Sequence, residues 1–340
     1  MQTDIAYRES KAVSQSLIKS LLYGVGLYHK LAKEEEEETH FLIGDAVDIL
    51  LTQGEDVFES LFYVSKVDKP SDTIMNIVNY VFIRDKSKFN NTQSLILEAC
   101  RVYNYQSNWK DETRLFKILE LGEVYWVELL KCQGRTMIDS EQYLTITKVV
   151  ESLKNHKFTR EIFQQESLNQ LAIYFEIDGI DCKALLDRVN IDHVAKTLQP
   201  IDIKTIGDYT KSFKFNAQRF RYDIQAAWYT EALKQWQRFN YPDYWILPFQ
   251  FVVESTKYPG FCPLVFTCSD FDLNAGKYGI NIITQVELFN LYDSQIIERP
   301  RAYKGFLEGL KIYKWYEENS YDLDKEIVES KGNLTLEVWS

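Results

Sequence analysis

The dipeptide Asp178-Gly179 constrains this chain more than any other feature. It separates two β-rich runs, Leu171 to Ile177 (LAIYFEI) and Ile180 to Val189 (IDCKALLDRV). Asp-Gly readily supplies the positive φ angles of a two-residue hairpin turn, so the two runs are expected to be antiparallel neighbours. A third β-rich run, Leu198 to Thr205 (LQPIDIKT), follows after a connection short enough to lay it beside the hairpin. The spacing then predicts a long helix from about Asn216 to Arg238, and further strands in Tyr244 to Glu254 and Pro263 to Thr267. This order of strand, strand, strand, helix, strand, strand describes an α/β core with a central mixed sheet flanked by helices.

The chain before this core reads differently. Apolar residues Val13, Leu17, Ile18, Leu21, Leu22 and Val25 recur at helical spacing between Lys11 and about Lys33. The run Glu34 to Glu38 then reads as a solvated loop, because five adjacent carboxylates repel one another. Further helices are expected from about Ile43 to Thr52, Ser71 to Phe82, Gln93 to Tyr105, Thr113 to Leu121 and Ser140 to Asn155, with almost no strand-like alternation between them. A closing helix is expected over Arg301 to Glu318, followed by a loose polar tail. Three parts result: a mostly helical region over 1–160 that lends one helix to the site, a core over 161–320, and a tail over 321–340.

Several function classes drop out. No apolar run reaches membrane-spanning length, and Asp4, Arg8, Glu9 and Lys11 leave no signal-peptide core near the start, so an intracellular, cytoplasmic protein is expected. The five cysteines form no CxxC pair, which argues against a disulfide framework or a zinc ribbon. No HxxxH, HExxH or GxSxG motif occurs, and the Gly24-Val25-Gly26 triplet lies in a helical pattern rather than after a strand. The net charge of −11 argues against nucleic-acid binding over the whole surface, though it permits a local basic groove.

The chemistry concentrates in the core. Side chains alternate along a strand, so Asp202 and Lys204 project from one face while Ile203 points the other way. Asp187, near the end of the preceding strand, can add a second carboxylate if the two strands pair. Two carboxylates and a lysine suit a hard cation such as Mg2+ at a phosphoryl centre. On the following helix Arg221, Gln225 and Tyr229 are spaced four apart and are expected to form one polar stripe. Between Lys204 and Arg221 the local charge is +4, beside the expected metal site, where a nucleic-acid backbone would need it.

Asp187, then Asp202-Ile203-Lys204, then Gln225-Ala226-Ala227-Trp228-Tyr229 resemble, in order and spacing, the three core motifs of the PD-(D/E)XK nuclease superfamily: an isolated Asp, DxK and QxxxY. Within it the chain resembles the RecB-like and RecE-type (exonuclease VIII-like) phage or prophage exonucleases. Their helical GxxxH motif corresponds to Gly44-Asp45-Ala46-Val47-Asp48, with Asp48 in place of the usual His. The resemblance implies a restriction-endonuclease-like core, with Asp48, Asp187, Asp202 and the Ile203 carbonyl as Mg2+ ligands, Mn2+ being able to substitute. It implies Lys204 as catalytic lysine, and Gln225 and Tyr229 as substrate-positioning residues beside Arg221. The implied activity is exonucleolytic degradation of linear double-stranded DNA in phage-type recombination or replication. A ring-shaped homo-oligomer and a single-strand annealing partner belong to the same implication. The alternative is a catalytically silent nucleic-acid-binding or assembly protein that keeps the fold, motivated by Asp48 and the acidic total.

Overall fold

The computed structural model describes residues 7–24, 39–290, 293–319 and 328–331. The acidic run Glu34 to Glu38, the end of the first expected helix and most of the expected tail lie outside them. The chain forms two compact units, one from Met1–Gly44 with Glu151–Ser340 and one from Asp45–Val150.

Helix α1 (Gln15–Tyr23) starts at Ser14, whose Oγ accepts the Leu17 N–H at 3.3 Å. Helix α2 (Thr39–Thr52) carries the boundary between the units at Gly44. The smaller unit continues with α3 (Glu55–Leu61), β1 (Phe62–Ser65), α4 (Asp72–Arg84), α5 (Gln93–Val102), α6 (Asp111–Cys132) and β2 (Thr136–Asp139). Its core is apolar: Ile74, Ile77, Val78 and Val81 of α4 meet Ile96, Ile118 and Trp126, and Trp126 stacks on Phe89 at 4.8 Å. Gly122 lets α6 approach α4, since a Cβ there would stand 2.7 Å from Val78 Cγ2.

Two expectations for this region need correction. Helix α6 runs well past Leu121, because the β-branched and aromatic cluster Val124 to Val127 hides a helical period that burial of Trp126 sustains. The region is also not free of strands: β1 and β2 pair in parallel from Phe62↔Thr136 to Ser65↔Asp139. Runs of four residues are too short for alternation to register.

Helix α7 (Ser140–Asn155) crosses the second boundary and leads through α8 (Arg160–Gln164) to the sheet. Strands β3 (Ser167–Ile177) and β4 (Ile180–Asp192) turn at Asp178 (φ 51°) and Gly179 (φ 79°), as the dipeptide predicts. Strand β5 (Thr197–Ile206) is followed by α9 (Phe213–Arg219), α10 (Tyr222–Asn240), β6 (Trp245–Ile246), β7 (Gln250–Ser255) and β8 (Leu264–Thr267). The order is β3-β4-β5-β7-β8, antiparallel except where β5 meets β7 and β6 in parallel. The sheet is therefore mixed, and α10 lies within the crossover that parallel strands require. Trp228 of α10 is fully buried against Phe175 and Phe306, and its indole N–H reaches the Lys183 carbonyl at 3.0 Å.

The helix expected over 216–238 is two helices. Arg221 adopts φ 51° between them, a conformation no helix interior accepts. The break brings Phe213 and Tyr222 into a stack at 5.5 Å, both against Phe251. Helix α11 (Asp270–Tyr278) and the hairpin of β9 (Ile280–Asn290) and β10 (Asp293–Tyr303) precede α12 (Phe306–Asn319). The closing helix therefore begins at Phe306 rather than Arg301, because Arg301 to Tyr303 complete β10.

Candidate active site

Strands β4 and β5 pair from Arg188↔Ile201 to Asp192↔Thr197 and then part, while β5 goes on to pair with β7. At the parting, β4 reverses its side-chain parity. Cys182, Ala184 and Leu186 enter the core before it, Val189 and Ile191 after it. Gln170, across from Asp187, leaves the β3–β4 ladder and takes φ 51°. Asp187 stands at the fork, and its Oδ2 accepts the Ile203 N–H at 2.9 Å where the strands no longer pair.

Beside this fork the alternation of β5 operates as expected. Asp202 and Lys204 share a face, with Lys204 Nζ 2.7 Å from Asp202 Oδ2. Asp202 is only 1% exposed, and its other oxygen accepts Gln225 Nε2 of α10 at 2.6 Å. Tyr229 lies one turn further along, buried and hydrogen-bonded with Gln225. The buried pair of QxxxY residues therefore reaches the acid itself: Gln225 fixes the carboxylate and Tyr229 backs Gln225.

The charges respond to burial and to one another. Burial pushes the Asp202 carboxyl above the ordinary carboxylate range, against the pull of Lys204, Lys19 and Gln225. Burial alone would lower the Lys204 ammonium, but Asp202 and Asp187 outweigh it and hold that group above the ordinary lysine value. Lys204 is thus a cation over the neutral range. Burial raises the Tyr229 phenol, and the two carboxylates add to the rise.

The structure brings Asp187, Asp202, Ile203, Lys204, Gln225 and Tyr229 into one cluster. Arg221 does not share their stripe: it precedes α10, and its guanidinium clasps Asp223 at 2.8 and 2.9 Å. Asp48 lies in α2 within the 45–150 unit. Gly44, the last residue of the larger unit before that boundary, has tight surroundings, since a Cβ there would stand 3.1 Å from Thr205 Oγ1. Glu176, near the hairpin turn, is an exposed edge residue. Sequence reasoning missed Lys19 of α1 and Tyr222. Lys19 Nζ and Lys204 Nζ lie 5.7 and 5.2 Å from the Tyr222 ring, and burial followed by repulsion from Lys204 brings Lys19 down to about 8. The only signal for Lys19 is a lone lysine between Ile18 and Leu21 in an apolar helix.

Two carboxylates and a peptide carbonyl are hard oxygen donors of the kind Mg2+ and Mn2+ take, with water and substrate completing the shell. Among the described residues no group of three or more His, Cys, Asp and Glu side chains forms a metal cluster. The hard oxygen donors gathered at the fork are those of Asp187, Asp202 and the Ile203 peptide.

A mixed sheet forked at one aspartate, with a DxK strand whose acid is held by a crossover helix, defines a PD-(D/E)XK nuclease fold. The chain belongs to the family described as a PDDEXK-like domain of unknown function (DUF3799), whose model matches residues 27–260. It is also similar in structure to a protein from Eubacterium rectale named, on a provisional basis, as an exonuclease, with a TM-score of 0.42 and 14% identity over 78% of this chain and 75% of that one. No curated protein matches the chain. Nucleases of the PD-(D/E)XK class generally use divalent metals. No helix among the described residues is long and apolar enough to cross a membrane.

Proposed function

We propose that the protein is a metal-dependent deoxyribonuclease that hydrolyses phosphodiester bonds, acting as an exonuclease on linear double-stranded DNA. The observation that carries this reading is the convergence of Asp187, Asp202 and Lys204 about the Ile203 peptide, with Gln225 holding the inner acid. Asp187, Asp202 and the Ile203 carbonyl would hold the cation. When bound, such a cation neutralises negative charge developing on phosphoryl oxygens. Lys204, positively charged and 23% exposed at its side chain, orients the attacking water and offsets charge on the scissile phosphate. Gln225 and Tyr229 keep the Asp202 carboxylate in one rotamer, so that it does not have to reorganise during reaction.

Processing from DNA ends, a ring-shaped homo-oligomer, a single-strand annealing partner and a setting in phage-type recombination within the cytoplasm rest on the motif resemblance. The test uses end-labelled linear and closed circular duplex DNA with Mg2+, Mn2+ or EDTA. Metal-dependent loss of the linear form alone, abolished in Lys204→Ala and Asp202→Ala, is the expected result. Cleavage of both forms would make the protein an endonuclease with the same chemistry. Strand binding without cleavage under either metal would leave a binding module in the nuclease fold.

A further inference from the structure

Two cavities lie on either side of Arg221, next to the cluster just described. The first, of about 580 Å³, includes Lys19, Tyr23, Gln218, Arg219, Arg221 and Lys304 in its lining and contains no carboxylate. That is unusual on a chain of net charge −11. Arg221 is clasped by Asp223 and Lys304 lies 3.5 Å from Glu308, whereas no carboxylate among the described residues lies within 4 Å of Lys19 or Arg219, and Asp202 and Asp223 attract Lys19 only from further away. Their charge remains available to an anion.

The second cavity, of about 440 Å³, shares Gln218, Arg221 and Tyr303 with the first but has an aromatic character. The buried rings of Phe213 and Phe251 support it from beneath, and the more accessible Tyr222, Phe266, Phe271 and Tyr303 line it beside Lys214, Asp223 and Asp272. Its floor is a row across the sheet that starts at the inner acid: Asp202 is in register with Phe251, and Phe251 with Phe266. Residues in register share a sheet face, and neighbouring strands are about 4.8 Å apart. The aromatic floor thus begins one strand from Asp202, and Tyr222 turns its ring to both Lys204 and Lys19.

We propose that these two cavities form a subsite for one unstacked nucleotide of the substrate strand, with a phosphate among Lys19, Arg219 and Lys304 and its base against the aromatic floor. The inference rests on the nuclease reading and specifies how the strand is held. The division of charge sets the orientation. A phosphate fits the carboxylate-free side better, whereas on the other side Asp272, whose Oδ2 alone is taken by Ser269, can accept a hydrogen bond from a base amino group through its other oxygen. The aromatic faces accept any base by stacking, so the subsite grips a strand without reading its sequence. Its occupant is a base taken out of its stack, at a strand end or in a single-stranded stretch.

The test measures binding by fluorescence anisotropy with EDTA present, so cleavage does not enter. Short single strands carry one abasic site at each position in turn, with 5′-phosphate, 3′-phosphate or hydroxyl ends. The expected result is one position at which base loss weakens binding about tenfold. That penalty should disappear in Phe271→Ala, where the ring is 65% exposed and its loss leaves the core intact. Arg219→Ala should weaken every strand and lower the salt slope by about one. A preference for one phosphorylated end would identify a terminal phosphate, and equal binding an internal one; both fit the subsite. A flat abasic profile, or a penalty that survives both Phe271→Ala and Phe266→Ala, would overturn the subsite while leaving metal-dependent cleavage unaffected. If no strand binds at all, the subsite and the nucleic-acid reading fall together.

Discussion

Both faces of the central sheet bury charge, but they complete it in opposite ways. On the face of Ile201 and Ile203, Arg188 sends its guanidinium to the Asn190 and Asn169 side chains and to the carbonyls of Ile162 and Gln165. Glu254, in register with Thr205, accepts from Ser152 Oγ and the Ser255 N–H. Neutral dipoles saturate both groups. On the other face Asp202 is met by a lysine, with a second carboxylate across the fork and a second lysine nearby. A buried charge closed by neutral partners holds a fold together, whereas acids and lysines gathered around one peptide offer both an oxygen set for a cation and positive charge for a phosphate.

The sharpest way to break this distinction is Asp202→Asn. It is expected to reduce cleavage by about 10²- to 10³-fold while circular dichroism shows the fold retained; activity within tenfold of the original would remove Asp202 from the chemistry. Arg188→Met should do the converse. Leaving Asn190 and two buried carbonyls without their donor costs about 3 kcal/mol by urea denaturation, with cleavage per folded molecule unchanged. A large loss of specific activity there would mean that the two faces are not separate.

Metal linkage sharpens the contrast further. Saturating Mg2+ at about 100 times its Kd should raise stability by about 2.7 kcal/mol, a shift expected to persist in Arg188→Met and vanish in Asp187→Asn with Asp202→Asn. The smallest effect is a pH signature. Lys19 titrates at about 8 when folded, against an ordinary value of about 10.5. Between these values the unfolded chain holds a proton that the folded chain has released, so stability from this group rises with pH across that window. Lys19→Met should flatten the rise. Burial brings Arg188 down to about 10, so its own window opens only above that pH.

Much of the core is legible in local chemistry. Asp178-Gly179 dictates the hairpin, period-two alternation puts Asp202 and Lys204 side by side, and the i, i+4 spacing of Gln225 and Tyr229 survives because both fall inside α10. Arg221 fails the same reasoning by one residue. A helical period cannot show that the backbone turns left-handed to stack Phe213 on Tyr222. The 1–160 region was not readable as a unit either, because α1 joins the sheet while 45–150 forms its own core.

The sequence alone determined the hairpin and the strand that follows it, the motif residues and the face on which the DxK pair lies, because turn chemistry and alternation act over a few residues. Only the tertiary structure decided that β4 reverses parity at Asp187, that Asp187 takes the Ile203 N–H, and that Lys19 arrives beside Lys204. These depend on where strands separate and on which distant helix fills the gap. No spacing within a segment records that, because the competing arrangements differ in packing rather than in local conformation.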